Sequence, residues 1–169
     1  RRHLTEELSW ARFAMWREKC CIAEAIRSCG VSAGERILDV PCGTGIMAGT
    51  LEESCPGSFT ASDISREMMD LARQEYSAAR LHGLVRSDIT RLPFRANGFS
   101  GSLVIGFMHR VPPAIRRKTL QEVARVTERF IIVSYSMDGP LQRMKRWVLS
   151  KMSSRYSSAP SPAGREEIK

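Results

Sequence analysis

The sequence predicts an α/β protein in which a doubly wound, mostly parallel sheet is covered by helices on both faces. Short apolar runs alternate along the chain with longer segments of helical periodicity, which is the pattern of a parallel sheet buried between helices. The first apolar run, over 36–40, leads into a turn with two glycines, Gly43 and Gly45, which is typical of a strand–turn–helix unit. With 169 residues and 43% hydrophobic content, the chain is long enough for one domain with its own core.

The elements are predicted in chain order from periodicity and flanking residues. Apolar residues at near-helical spacing predict a first helix over 5–29. Strands are predicted over 36–40, 59–63, 83–87, 103–107 and 130–135, the fourth of them fully apolar. Further helices are predicted over 46–53, 66–79 and 111–127. Ser65 is a good N-cap for the second of these, and Pro112 and Pro113 open the third.

We expect a single domain over 1–169 with three parts: a helical cap over 1–34, a ligand-binding core over 35–136, and a basic helix with a polar tail over 137–169. The net charge of +8 is concentrated in 110–155, which carries eleven Lys and Arg residues against three acids. This basic segment would attract an anionic molecule, an anionic surface or a nucleic acid, or it solvates the outer faces of two helices. Apolar residues at helical spacing over 141–152 indicate either a packed helix or a peripheral membrane contact.

Composition excludes several classes of protein. No apolar run approaches the ~20 residues of a membrane span, and the first residues lack the apolar core of a signal peptide. The five cysteines are odd in number and include no Cys-x-x-Cys pair. This pattern argues for free thiols in a reducing compartment and against a disulfide framework or a zinc site. We therefore expect a cytoplasmic protein without a metal site.

Acidic residues fall at the ends of the first three predicted strands. Asp39 precedes the glycine turn, Asp63 follows the turn by about 20 residues, and Asp88 ends the third strand. The carboxyl ends of parallel strands share one edge of a sheet, so these carboxylates are expected around one ligand. Asp39 is unsuited to a pyrophosphate, but it suits a ligand with hydroxyl and ammonium donors, or one with a net positive charge. S-adenosylmethionine has all three.

Each of these features has a simpler interpretation when it is taken alone. The glycine turn could be an ordinary strand–helix connection, Asp63 could cap its helix, and Asp88 could form an Asx-turn before Thr90. NAD is the alternative cofactor, because Gly43-x-Gly45-x-x-Ala48 satisfies the dinucleotide fingerprint. Asp39 disfavours NAD, since it would lie next to the phosphate charge.

Five segments then stand together in one order: Ile37-Leu38-Asp39-Val40-Pro41-Cys42-Gly43-Thr44-Gly45, Ala61-Ser62-Asp63-Ile64-Ser65, Ser87-Asp88-Ile89 with Leu92-Pro93-Phe94, Phe107-Met108-His109-Arg110-Val111-Pro112, and Leu120-xx-Val123-Ala124-Arg125-Val126. This combination resembles the class I S-adenosylmethionine-dependent methyltransferases of the small-molecule, ubiquinone/menaquinone methyltransferase-like type. The similarity covers roughly residues 10–136.

The resemblance implies a Rossmann-like fold, S-adenosyl-L-methionine as the cofactor, and a small-molecule acceptor that is anionic, amphiphilic or quinone-like. The residues that it assigns to cofactor binding are Asp39, Pro41, Gly43, Thr44, Gly45, Asp63, Ile64, Asp88, Ile89, Gly106 and Arg17. Pro41 stands where the family has the first glycine of its motif. The family's sheet has two further strands, so we expect a truncated domain with those C-terminal strands missing, and 137–169 as a lid over the acceptor.

His109, just beyond the fourth strand, is the candidate general base, because an ordinary histidine pKa near 6.5 suits proton transfer at neutral pH. A histidine that only shapes the pocket is the alternative. Two other functions stay open: methylation of RNA or protein through the basic segment, and a non-catalytic binding relic of the fold. Against a nucleic-acid substrate, the fourth segment lacks an Asn-Pro-Pro-Tyr-type tetrapeptide that would clamp a base amine. The oligomeric state is not indicated.

Overall fold

The computed structural model describes residues 2–135, with side chains described from Arg12 onward. The helices in this range are α1 (Arg2–Ser28), α2 (Ala48–Ser54), α3 (Arg66–Glu75) and α4 (Pro113–Val126). The strands are β1 (Arg36–Asp39), β2 (Ser58–Asp63), β3 (Leu81–Arg86), β4 (Phe99–Val104) and β5 (Thr127–Val133). A single 3-10 turn, Met108–Arg110, connects β4 to α4. Strands and helices therefore alternate as the sequence predicts.

The strands of this part of the chain form one sheet in the order β3-β2-β1-β4-β5, and each pairing is parallel. Strand β1 lies in the centre, where Ile37 pairs with Phe59 of β2 and Leu38 pairs with Ser102 of β4. The direction of winding reverses between β1 and β4, so the carboxyl ends of these two strands open a crevice. The predicted doubly wound, Rossmann-like fold is confirmed.

Helices cover both faces of the sheet because successive side chains of the buried strands point to opposite sides. On one face, Ile37 joins a core cluster that includes Ile26 of α1, Leu51 of α2 and Ala72 of α3. On the other face, Leu38 and Val40 join a cluster with residues of α4, Val123 and Val126 among them. Burial of each large apolar side chain contributes about 1.5–3 kcal/mol to folding. The crevice therefore lies at the edge of a sheet that packs between two apolar layers.

Strand β4 begins earlier than the prediction of 103–107, which is wrong in its boundaries. The chain turns at Asn97, which has a positive φ of 52°, and Phe99 already pairs with Thr127 of β5. The strand contains small residues because the Phe130 ring lies over Gly101, where an added Cβ would stand 2.1 Å from Cζ of that ring. Hydrogen-bonded polar groups and a glycine make this buried strand look like a turn in the sequence.

The predicted end of α3 at residue 79 is also wrong. The helix ends at Glu75, and Tyr76 takes an extended backbone conformation with φ −80° and ψ 136°. Beyond it, the backbone N–H and the hydroxyl of Ser77 donate to Glu52 Oε1 at 2.9 and 3.0 Å. Tertiary hydrogen bonds therefore end α3 before its helical periodicity does. Its predicted start is confirmed, because Ser65 Oγ accepts a hydrogen bond from the N–H of Met68 at 3.3 Å.

Each of the other elements differs from its predicted bounds by one to three residues at one or both ends. Helix α2 begins at Ala48 and not at 46, since the turn continues through Met47. Strand β3 starts at Leu81, two residues before its predicted start. Strand β5 starts at Thr127, directly after α4 and three residues before its predicted start.

In the described part of the basic segment, three arginines have partners within the protein. Arg116 is buried, and its Nε donates to the carbonyls of Met108 and Val111 at 2.8 and 3.0 Å. Arg125 pairs with Glu122 at 2.7 Å, and Arg129 pairs with Glu35. Arg110, Arg117 and Lys118 remain exposed. Half of the basic residues in this range thus stabilise the fold, which weakens the case for a broad anion-binding surface here.

The predicted lid over 137–169 and the predicted membrane contact through 141–152 lie outside the described residues. Among residues 2–135, no helix combines the length and apolar character that crossing a membrane requires. The three-part division of the domain stays a prediction.

Candidate functional site

A turn that opens with Pro41 and includes Gly43 and Gly45 leads out of β1 at the crevice. The Cys42 N–H donates to the carbonyl of Ser62 on β2 at 2.8 Å. Gly45 has a φ of +78°, and a Cβ at this position would stand 2.8 Å from Cα of Ala72 on α3. Glycine at 45 is therefore required both by the backbone conformation and by the close approach of a helix. Gly43 has a φ of +53°, and a Cβ at this position would meet no atom within 4 Å.

Asp63 at the end of β2 ties this turn to the start of α3. Its Oδ2 accepts the Gly43 N–H at 2.9 Å, and its Oδ1 accepts the Ser65 N–H at 3.0 Å. The residue is 7% exposed. Each carboxylate oxygen has a second lone pair, so both can still accept hydroxyl donors from a ligand. The capping role that the sequence offered as an alternative therefore coexists with a ligand-binding role.

Asp39 at the end of β1 is buried against Tyr76. The Tyr76 hydroxyl donates to Asp39 Oδ2 at 2.6 Å. Burial is the largest influence on the Asp39 carboxyl and raises its pKa to about 7, although the hydrogen bond from Tyr76 acts in the opposite direction. The neighbouring Asp63 carboxylate raises this pKa further. Near neutral pH the carboxyl is therefore poised between its neutral and charged forms.

Asp88, which follows β3, forms the Asx-turn that the sequence offered as an alternative. Its Oδ1 accepts the N–H and the hydroxyl of Thr90 at 2.8 and 2.9 Å. These hydrogen bonds lower the pKa of the Asp88 carboxyl, which therefore stays charged. Oδ2 accepts no hydrogen bond from the residues that the structure describes, and the side chain is exposed. This oxygen is open to a donor on a ligand.

A cavity of about 210 Å³ lies at this edge of the sheet and brings several of the predicted residues together. Its walls are formed by the following residues: Val40, Pro41, Asp63, Ile64, Ser87, Asp88, Ile89, Thr90, Phe107 and Ile115. Five of the predicted cofactor residues are in this set, and the lining is mostly apolar with two carboxylates. An apolar cavity with a few convergent polar groups is the usual form of a small-molecule site.

The remaining predicted cofactor residues do not line this cavity. Asp39, Gly43, Thr44 and Gly45 lie in or below the turn beside it, and Gly106 follows β4 with φ +67° and open space at its Cβ position. Arg17 is exposed on α1. The assignment of all the predicted residues to cofactor binding, including those that line the cavity, stays a prediction.

Sequence reasoning did not assign Phe107, Ile115 or Tyr76 to the site. Phe107 stands in the fourth recognised segment, so it was within reach of motif analysis. Ile115 comes from the first turn of α4 and Tyr76 from the end of α3. No local pattern marks either residue, because each reaches the site through the packing of its helix.

A second, larger cavity of about 560 Å³ lies between α1 and the end of β5 and includes His109. It is lined by Glu18, Cys21, Ile22, Ala25, His109, Ile132, Val133, Ser134 and Tyr135. Burial and the nearby Arg110 charge lower the pKa of His109, so its imidazole is neutral at pH 7. Its Nδ1 is buried and has no hydrogen-bond partner in the described part of the chain. The predicted general base and five of the predicted cofactor residues therefore line two different cavities.

Metal-ligating groups do not cluster within the range that the structure covers, where no three His, Cys, Asp or Glu side chains could hold an ion. The five cysteines are free thiols, and Cys42 and Cys55 are buried. Burial raises the pKa of the Cys42 thiol to about 12. This group is therefore inert as a nucleophile at neutral pH.

One family model, described as a methyltransferase domain, matches residues 37–129. The match covers more than half of the chain and includes both the glycine turn and the crevice. The chain belongs to this methyltransferase domain family. The predicted resemblance to class I S-adenosylmethionine-dependent methyltransferases is thereby confirmed.

The curated relatives that the chain matches are also named as methyltransferases. The chain is 31% identical over 126 residues to the demethylmenaquinone methyltransferase of Oceanobacillus iheyensis. The matched region covers 72% of this chain and 50% of that protein. It is 29% identical over 126 residues to the demethylmenaquinone methyltransferase of Staphylococcus aureus, covering 73% and 49%. The chain therefore spans about half the length of the curated relatives it matches.

Solved structures share the fold. The magnesium protoporphyrin IX methyltransferase of Synechocystis PCC 6803, with bound SAH, has a TM-score of 0.72 at 17% identity, covering 93% of this chain and 70% of that chain. An S-adenosylmethionine-dependent methyltransferase from Methanosarcina mazei has a TM-score of 0.64 at 19% identity, covering 82% and 77%. At this identity the likeness concerns the arrangement of helices and strands.

Proposed function

We propose that this protein binds S-adenosylmethionine at the crevice and transfers its methyl group to a small-molecule acceptor. The observation that carries the proposal is the 210 Å³ cavity, in which Asp63 and Asp88 stand beside the apolar side chains of Ile64 and Ile89. Two carboxylates that can accept hydrogen bonds, together with apolar walls, match the chemistry of an adenosine group, which combines hydroxyl and amine donors with a flat ring. The residues present therefore fit the cofactor.

Particular residues would hold particular parts of the cofactor. Asp63 would accept the ribose hydroxyls, Asp88 Oδ2 would accept the adenine amine, and Phe107 would pack against the ring. Asp39 and the turn from Pro41 to Gly45 would hold the amino-acid end, where the ammonium group is a donor. When bound, the cofactor supplies a methyl group on a sulfonium that needs no further activation.

The protein's own contribution is to align the acceptor, exclude water and remove a proton where the acceptor carries one. His109 is the residue for the last task. Its imidazole is neutral and lines the larger cavity, where it can take a proton from an acceptor. The Arg116 hydrogen bonds to Met108 and Val111 hold the turn on which His109 stands.

The larger cavity supports an acceptor that is partly apolar. Ile22, Ala25, Ile132 and Val133 form an apolar wall, while Glu18 and Ser134 add polar groups. A quinone-like, amphiphilic molecule suits this lining, and the names of the curated relatives agree with that class. Cytoplasmic localisation, the lid over 137–169 and peripheral membrane contact remain predictions that accompany this proposal.

Calorimetry with S-adenosylmethionine tests the proposal directly. We expect binding in the micromolar range by the wild type and at least a tenfold loss in Asp63→Ala, whereas Asp70→Asn, an exposed acid of α3, should bind as the wild type does. NAD titrated under the same conditions should give no heat. A folded wild type that binds NAD and not S-adenosylmethionine would refute the proposal.

A further inference from the structure

The Tyr76 hydroxyl is the described hydrogen-bond partner of the Asp39 carboxylate, although 37 positions separate the two residues. The bond to Oδ2 is 2.6 Å long, and Tyr76 and Asp39 are 4% and 2% exposed. The tyrosine ring is fixed independently, because it packs against Phe59 with ring centroids 5.9 Å apart. A rigid phenol therefore reaches from α3 under the sheet edge to a single oxygen of the carboxylate.

No cation neutralises Asp39 from the groups that influence it in the described chain. Tyr76 faces it from α3, Asp63 from β2, and the Cys42 thiol from the turn. All three are neutral or negative near pH 7. The charged carboxylate thus depends on the Tyr76 hydrogen bond, because a buried charge without a partner or hydrogen bond reverts to its neutral form.

We propose that Tyr76 is a positioning residue of the cofactor site, whose hydroxyl orients the Asp39 carboxylate, favours its charged form and leaves Oδ1 to accept the ammonium group of the cofactor. The inference rests on the proposed function, because it needs a cofactor with that group. Oδ1 accepts no hydrogen bond from any residue that the structure describes, and Asp39 adjoins Val40 and Pro41, which line the smaller cavity. A protonated Asp39 would present no charge to an ammonium group.

The variant Tyr76→Phe separates this role from simple packing. It removes the hydroxyl and retains the ring that contacts Phe59. Loss of a hydrogen bond to the charged form of a carboxyl group raises its pKa by about one to two pH units. The pKa of Asp39 should therefore rise above its wild-type value of about 7.

The experiment measures the affinity for S-adenosylhomocysteine by calorimetry between pH 6 and 9, for wild type and Tyr76→Phe. This ligand carries the ammonium group, and 5′-methylthioadenosine, which lacks it, is the matched control. In wild type, we expect S-adenosylhomocysteine affinity to fall below about pH 7. In Tyr76→Phe the fall should begin about one to two pH units higher, with about tenfold weaker binding at pH 7 and a smaller difference at pH 9. Affinity for 5′-methylthioadenosine should be the same in both.

Two results would overturn the inference. One is an unchanged pH profile for S-adenosylhomocysteine in Tyr76→Phe. The other is an equal loss for both ligands, which would mean that the tyrosine only supports the fold. The variant Asp39→Asn keeps Tyr76 and removes the carboxyl group that titrates. In this variant, S-adenosylhomocysteine binding should be weak and independent of pH. A folded wild type that binds neither ligand would contradict the proposed function itself, which distinguishes that failure from a failure of the Tyr76 assignment.

Discussion

The Asp63 carboxylate accepts the backbone N–H of Gly43 at 2.9 Å, which joins the end of β2 to the glycine turn after β1. The same carboxylate accepts the N–H of Ser65 at the start of α3. One acid therefore orders the turn, the strand end and the helix start that surround the crevice. Its role in the free protein is structural, and the proposed cofactor would add to hydrogen bonds that already exist.

We expect Asp63→Asn to be milder than Asp63→Ala in stability but similar in cofactor binding. The asparagine oxygen can keep one of the two backbone hydrogen bonds, whereas alanine leaves both N–H groups without a partner at a cost of about 1–3 kcal/mol each. Neither side chain carries the charge that strengthens hydrogen bonds from ribose hydroxyls. Urea unfolding and calorimetry on both variants check this. Cofactor affinity retained by Asp63→Asn would contradict the assigned role of the charge.

Gly45→Ala should destabilise the domain and abolish cofactor binding. Its φ is +78°, and the added Cβ would stand 2.8 Å from Cα of Ala72, which is backbone and cannot rotate away. We expect a loss of about 2–4 kcal/mol from strain and overpacking together. Gly49→Ala is the matched control, because it lies within α2 with nothing within 4 Å. That substitution should be neutral or stabilise by up to about 1 kcal/mol.

Asp39→Asn should stabilise the protein at pH 8 while it weakens cofactor binding. The pKa of Asp39 is about 7 in the folded state and 3.8 when free. Because the pKa is higher in the folded state, this group contributes its full stabilisation below pH 4. The contribution is lost as the pH rises through 7. The asparagine avoids the buried charge and should gain at most about 4 kcal/mol at pH 8, with no gain at pH 3.5. Chemical unfolding at both pH values tests the sign, and a less stable variant at pH 8 would contradict it.

His109→Gln should lower kcat by about 10²–10⁴ for an acceptor that must lose a proton. Because the pKa of His109 is lowered, the wild type should keep its activity down to a pH below 6.5, where the imidazole becomes protonated. The pH–rate profile of the wild type shows where this limb lies. S-adenosylmethionine affinity should be unchanged in His109→Gln, since His109 lines the other cavity. An unaltered kcat would leave His109 with a shaping role.

Gly101→Ala should destabilise the sheet by about 1–3 kcal/mol, because the new Cβ would stand 2.1 Å from the Phe130 ring. Replacing the ring removes the clash, so Gly101→Ala should cost less in a Phe130→Leu background than in the wild type. A double-mutant cycle from urea unfolding measures this coupling. Purely additive effects would mean that the ring does not restrict residue 101.

Features that depend on neighbouring residues in the chain could be predicted from the sequence. The Ser65 cap, the prolines that open α4 and the acids at the strand ends all depend on positions a few residues apart. The cavity at the carboxyl edge then follows from the rule for parallel strands. Five of the predicted cofactor residues line it for this reason.

The sequence by itself therefore determined the fold class, the family and the edge of the sheet where the candidate site lies, because periodicity, caps and motif spacing are local properties of the chain. Only the tertiary structure decided that β4 begins at Phe99, that α3 ends so that Tyr76 reaches Asp39, and that His109 faces a separate cavity. These features depend on contacts between residues 25 or more positions apart. Their energies come from packing and burial, which no local pattern records.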